Sequence, residues 1–156
     1  MKDSIKRGFS FGLTSGVITT LGLIIGLYAS TESKFIVIGG IIIIAIADSL
    51  SDAMGIHVSE EFKKKISKKS VWEATSATFF SKLVFALGFV IPVLLFNLNL
   101  AIIVNIIWGL FLIACLSFYI SKKSSRLKVI VEHIVLTIFV VFATYGIGKF
   151  VKVFIH

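Results

Sequence analysis

Residues 35–58 read FIVIGGIIIIAIADSLSDAMGIHV, and the first thirteen of these carry no ionisable or hydrogen-bonding side chain. At about 1.5 Å per residue a helix of this length reaches about 36 Å, enough to cross a hydrocarbon layer of about 30 Å. Helix is the expected form, because backbone groups inside lipid find partners only within their own segment or in a closed barrel. Periodicity argues against the barrel: neither IIIIAIA (41–47) nor IVLTIFVVFA (134–143) alternates polar with apolar residues.

Outward from that stretch the chain repeats the same pattern. Apolar runs extend from Gly8 to Tyr28, Val71 to Phe96, Leu98 to Ile120 and Val129 to Val151. Polar segments separate them: ASTESK (29–34), SEEFKKKISKKS (59–70), the short Asn97 to Asn99, and SKKSSRLK (121–128). The expectation is an all-α membrane protein, one transmembrane domain over residues 1–156 with five spans at about 8–28, 35–58, 71–96, 98–120 and 129–151. Composition agrees, since apolar residues make up 57 % of the chain and charged ones 15 %. A soluble domain carries nearer about 25 % charge, to wet its surface. Mean hydropathy is +1.03. The bilayer is therefore the expected surrounding, with Trp72 and Tyr28 in the interfacial aromatic belt.

The Lys/Arg distribution sets the expected orientation. One side receives Lys2, Lys6, Arg7, Lys63, Lys64, Lys65, Lys68, Lys69, Lys122, Lys123, Arg126 and Lys128, which is twelve; the other receives Lys34, Lys149 and Lys152, which is three. The N-terminus is expected in the cytoplasm and, after five spans, the C-terminus outside. A cell membrane is assumed because nothing marks an organelle. The net charge of +8 belongs to loops that meet lipid headgroups, and no stacking platform for single strands accompanies it, so nucleic acid is not an expected partner. The first span does not read as a cleaved signal, because it is long and has no small-x-small site. Cys115 is the one cysteine, so no intrachain disulfide forms; it reads as a small buried apolar residue. Pro92 is expected to kink the third helix or end its regular part. His156 is terminal and uninformative.

Ionisable groups within a span mark a functional site by default, since each costs a few kcal/mol to insert. Asp48 and Asp52 lie four apart on one face of the second span, flanked by Ser51, Gly55 and Ser59. Taking Glu60 as the boundary, Asp52 lies about 12 Å deep and Asp48 about 18 Å. Counting from Arg7, Ser15 and Thr19 of the first span reach the same two depths, so antiparallel packing would set Ser15 beside Asp52 and Thr19 beside Asp48. Such hydroxyls also commonly bond back to the preceding turn. Gly8, Gly12 and Gly16, then Gly22 and Gly26, give the first span G-x-x-x-G spacings that admit a neighbouring backbone; Gly55 is a further expected packing position. Hard oxygen donors on closely packed helices suit a dehydrated divalent cation. Lys82, at comparable depth, is either a counter-ion to these carboxylates or a side chain that snorkels to the interface. Glu132 and His133 read either as a proton-relay pair or as interfacial residues. His57, Glu60, Glu61 and Glu73 form an acidic group blunted by the lysines between them, expected in a solvated loop. No nucleophile–base pair, phosphate loop or zinc spacing is visible, so an enzyme is not expected.

These residues resemble the vacuolar iron transporter family. FGLTSGVITTLGLIIGL (11–27) is similar to that family's F-G-x-x-D-G-x-V-T-T-x-G-x-x-x-G-L signature, and ATYGIGKFV (143–151) to its closing T-Y-x-I-G-[RK] segment. ADSLSDAMGIHVSEE (47–61) matches its second helix in length and position. The resemblance implies export of Fe²⁺ or Mn²⁺ from the cytosol by proton exchange, no permanently bound cofactor, and a homodimer with the ion path at the interface. It places the family's first-helix aspartate on Ser15, its second-helix methionine on Asp52 and the following glutamate on Ile56. In this sequence the carboxylates thus stand on the second helix, and the family's long Glu-rich insertion is replaced by the short SEEFKKKISKKS. Asp48 and Asp52 become the expected metal and proton ligands with Ser15 and Thr19 as neutral donors, and Glu132 a further proton-coupling candidate. A changed cargo, or a membrane scaffold that uses the glycines only for packing, are the alternatives.

Overall fold

A computed structural model of the chain describes residues 2–63, 66–121 and 125–155. These form helices α1 (Asp3–Thr31), α2 (Lys34–Glu61), α3 (Lys68–Gly88), α4 (Val90–Leu95), α5 (Leu98–Ile120) and α6 (Arg126–Ile155). Because α3 and α4 are two parts of one span, five helical segments are long and apolar enough to cross a membrane. There is no strand among the described residues. Lys64, Lys65, Lys122, Lys123 and His156, read above for orientation or as the terminus, lie outside the described residues.

Each boundary has a local cause. Ser33, Ser67 and Asn97 stand just before α2, α3 and α5, and their side chains accept hydrogen bonds from Ile36 N, Ser70 N and Leu100 N, satisfying otherwise orphaned donors. α1 ends at Glu32, which takes a left-handed φ of 50° and donates its N–H to Tyr28 O, so α2 starts two residues later. The third span is interrupted at Phe89. Pro92 lacks the N–H that Gly88 O would accept, and its ring crowds that carbonyl. The break sits one turn before the proline for that reason. Asn105 of α5 is buried and donates Nδ2 to Phe89 O at 3.2 Å, providing a polar partner at the interruption. The α4–α5 hairpin depends on the Asn97 cap; Asn97→Ala is expected to lower stability by about 1 kcal/mol, read as a lower melting temperature in micelles.

α1 is the central helix and packs against α2, α3, α5 and α6. Its Leu13, Val17, Leu21, Ile24 and Ile25 meet Phe89, Val93, Ile102 and Ile113 in the core. The two glycine runs of α1 serve different neighbours. Gly8, Gly12 and Gly16 face Ala74, Thr78 and Lys82 of α3, whereas Gly22 and Gly26 face Val140 and Thr144 of α6. Gly148 of α6 approaches Gly26 so closely that a Cβ there would lie 2.5 Å from the Gly26 carbonyl oxygen. Gly55 packs against nothing within the chain: no atom lies within 4 Å of the position a Cβ would take. It sits on the outer side of α2, whereas the close α1 approach is made by α3. Cys115 likewise faces outward from α5 rather than into the core, since Leu112, Ile113 and Leu116 occupy the buried side.

Polar contacts fasten both ends. At the N-terminal end Arg7 grips Glu60 through Nε and Nη2 at 3.2 and 2.9 Å. Lys2 and Ser4 hold Glu73 at 2.6 and 2.8 Å. At the other end Tyr28 donates to Asn99 at 3.0 Å, and Lys152 meets Glu32 at 2.5 Å, holding that carboxyl below its usual range. The acidic group expected in a solvated loop is therefore divided. Glu60 is buried between Arg7 and Lys63, Glu73 binds the start of α1, and His57 contacts Thr75 at 3.0 Å and Glu61 at 3.4 Å.

Candidate cation site

The register between α1 and α2 is antiparallel and regular. Arg7 meets Glu60; eight residues further along α1 and eight back along α2, Ser15 donates its hydroxyl to Asp52 Oδ2 at 2.6 Å. Four more bring Thr19 to Asp48 Oδ2 at 3.0 Å. Two helices with the same rise keep such matches over several turns when they run alongside each other. The depth matching of Ser15 with Asp52 and of Thr19 with Asp48 is thus present in the structure. Thr19 also lies 2.8 Å from Ser15 O, so its single proton serves the preceding turn as well as the carboxylate.

The third wall comes from α3. Lys82 is 1 % exposed, and its Nζ lies 2.5 Å from both Asp48 Oδ2 and Asp52 Oδ2 and 2.9 Å from Ser15 Oγ. Of the two readings of this lysine, the counter-ion is the one the fold adopts. Gly16 makes it possible. A Cβ there would lie 3.1 Å from Lys82 Cγ and 3.2 Å from its Cα, so the lysine stem crosses α1 where no side chain intervenes. Two carboxylates and one ammonium leave a formal charge of −1 within the span. Three formal charges in a low-dielectric setting are expensive unless mutually compensated, and here each touches an opposite partner.

The site is closed toward the core and open at its flank. The Asp48 and Asp52 side chains are 26 % and 21 % exposed. Asp48 lines an open groove of about 680 Å³ between α1 and α2 with Gly40, Ala47 and Ser51. Thr19 lines a second, of about 660 Å³, that includes Gly22, Gly26, Thr144 and Gly148. Leu23, Leu27 and Ile44 belong to both. Among the described residues no three His, Cys, Asp or Glu side chains are grouped as a metal would need from such donors alone. Any cation here has two carboxylates plus the hydroxyls of Ser15 and Thr19.

Two sequence candidates lie elsewhere. Glu132 is half-exposed on α6 and pairs with Lys128 at 3.9 Å, one turn apart on the same helix. His133 turns inward, its Nδ1 at 2.7 Å from Ser117 Oγ. The two thus point to different surroundings. The Arg7–Glu60 clamp was absent from the candidate residues, although it was legible: the same depth count that matches Ser15 with Asp52 starts from Arg7 and Glu60. Compared with family models, with curated proteins and with solved structures, the chain shows no match.

Proposed function

We propose that this multi-pass membrane protein is a cation transporter in which Asp48 and Asp52 bind the cargo and the exchanged protons, and Ser15 and Thr19 add neutral oxygens. The observation that carries the reading is a cation already in place: the Lys82 ammonium, held by both carboxylates and Ser15 inside a helix bundle. An oxygen-lined position that holds one positive charge is chemically suited to another. The cargo is proposed to be a divalent metal of the Fe²⁺/Mn²⁺ class, exported from the cytosol. Support comes from the oxygen donors, which favour hard ions, and from the similarity of residues 11–27 to the vacuolar iron transporter signature. The N-terminus is placed in the cytoplasm on the charge bias, and the membrane is taken as the cell membrane. A homodimer is part of the proposal, because part-exposed carboxylates on the α1–α2 flank are better covered by a second copy than by lipid. We regard the chain as a carrier without permanent cofactor, not as an enzyme.

One observation favours a scaffold instead. The Lys82 ammonium bridges both carboxylates and Ser15, an arrangement that equally suits a cluster whose role is to join α1, α2 and α3. Mn²⁺ uptake into proteoliposomes separates the readings. Asp52→Asn and Asp48→Asn, tested singly, are expected to lower the initial rate by roughly tenfold or more while the protein stays folded. The charge-balanced triple variant Asp48→Asn/Asp52→Asn/Lys82→Met is expected at background. Equal flux above background in the wild type and the triple variant would rule out this site as the path, and background flux in both would leave the scaffold.

A further inference from the structure

We infer that Lys82 is a tethered occupant of the cation position that every cargo ion has to displace, so that only a strongly attracted ion fills the site. The inference rests on the transport reading of the same site.

Lysine is commonly a flexible point charge at a protein surface, with its head in water. Lys82 is the opposite: it is among the largest fully buried side chains of the molecule. Its nitrogen has three oxygens within 2.9 Å, two from carboxylates of α2 and one from a hydroxyl of α1. Those are the same oxygens a bound cation would use, so ammonium and cargo cannot share them. The stem is covered by α1 at Gly16, while the carboxylates keep access to the flanking groove through Asp48. Cargo therefore arrives from the groove side and the lysine from the core side, toward one set of ligands.

The exchange has an electrostatic consequence. A monovalent ion that replaces the ammonium restores only the attraction it removes, and it leaves a displaced positive charge in the bundle interior. A divalent ion doubles the attraction to the two carboxylates and offsets that displacement. The displacement costs the same for either ion, so Lys82 lowers both affinities together and the weakly held monovalent ion is the first to fall below occupancy. Without it, two bare carboxylates hold every cation more tightly, and a monovalent ion reaches measurable occupancy. When cargo leaves, the lysine returns and the carboxylates are not left unpaired within the span.

The test is equilibrium binding on the purified full chain in micelles at fixed neutral pH, with MnCl₂ and KCl as probes. Lys82→Met keeps the stem volume and removes the charge. It is expected to bind Mn²⁺ roughly tenfold or more tighter than the wild type, and K⁺ should now compete with Mn²⁺ where it does not in the wild type. Unchanged or weaker Mn²⁺ binding in Lys82→Met overturns the inference. If that variant does not fold, Lys82→Ala supplies the answer with ethylammonium as a detached replacement. Recovery of the folded form by ethylammonium, but not by tetraethylammonium, supports the tethered occupant, and no recovery overturns it. Flux is measured separately. Tighter binding in Lys82→Met with no flux in any form would refute transport and leave the occupancy intact; wild-type flux with unchanged binding would do the reverse.

Discussion

Changing Asp48 and Asp52 together to asparagine is expected to destabilise the bundle by about 3–5 kcal/mol, with Lys82→Met in the same chain recovering most of the loss. The cause is the lysine rather than the aspartates. Its ammonium is 1 % exposed, and it touches two carboxylates and one hydroxyl. Removing both negative charges leaves a positive charge with neutral oxygens alone, deep within a span. Asparagine keeps a carbonyl acceptor, so the lower end of the range is the better expectation. Replacing the lysine as well removes the uncompensated charge and leaves two amides that can bond to Ser15 and Thr19. Either single asparagine keeps one full ion pair and should cost less than half as much. Denaturant titration of the purified protein in micelles measures this, with helix content as the signal. A double variant as stable as the wild type, or a triple variant no better than the double, would show that the charges do not hold the helices together.

The second large effect is expected at Gly12. A Cβ on Gly12 would stand 2.5 Å from Thr78 O and 3.1 Å from Thr78 Cα, both backbone atoms of α3 that no rotamer change can move. Gly12→Ala should therefore separate α1 from α3 at a cost of about 1–3 kcal/mol. It should also draw Lys82 away from Asp48 and Asp52, because Lys82 is one turn along the same α3 surface from Thr78. Gly55→Ala is the control: open space surrounds that position, and no loss of stability is expected. Parallel thermal unfolding of the two variants decides the matter, and equal melting temperatures would contradict the packing described for α1 and α3.

Some of this was readable from one-dimensional features. Apolar run length defined five spans, and those runs are helical in the structure. The Asn97 hairpin and the interruption before Pro92 follow from capping and from a missing N–H, both local effects. The α1–α2 pairing was legible too, because two antiparallel helices of equal rise, joined by a two-residue turn, have one simple register. Arg7 with Glu60, Ser15 with Asp52 and Thr19 with Asp48 all obey it.

The third helix was not legible in the same way. Counting depth places Lys82 level with Asp52, but depth carries no azimuth, so a lysine at that level can point at the carboxylates or away from them. Likewise the G-x-x-x-G spacings show that some backbone comes close to α1, without saying which. Glu132 illustrates the converse, since its depth near a span end gave no sign that it is exposed and pairs within α6. The sequence by itself determined the membrane class, the number of spans and the levels of the charged groups, because run length and helical rise depend only on position along the chain. Only the tertiary structure decided that α3, not α2, fills the Gly8–Gly12–Gly16 groove and that Lys82 closes on Asp48 and Asp52. Rotation of a helix about its axis is set by side-chain packing against neighbours distant in sequence, and here that rotation puts an ammonium where Asp48 and Asp52 meet.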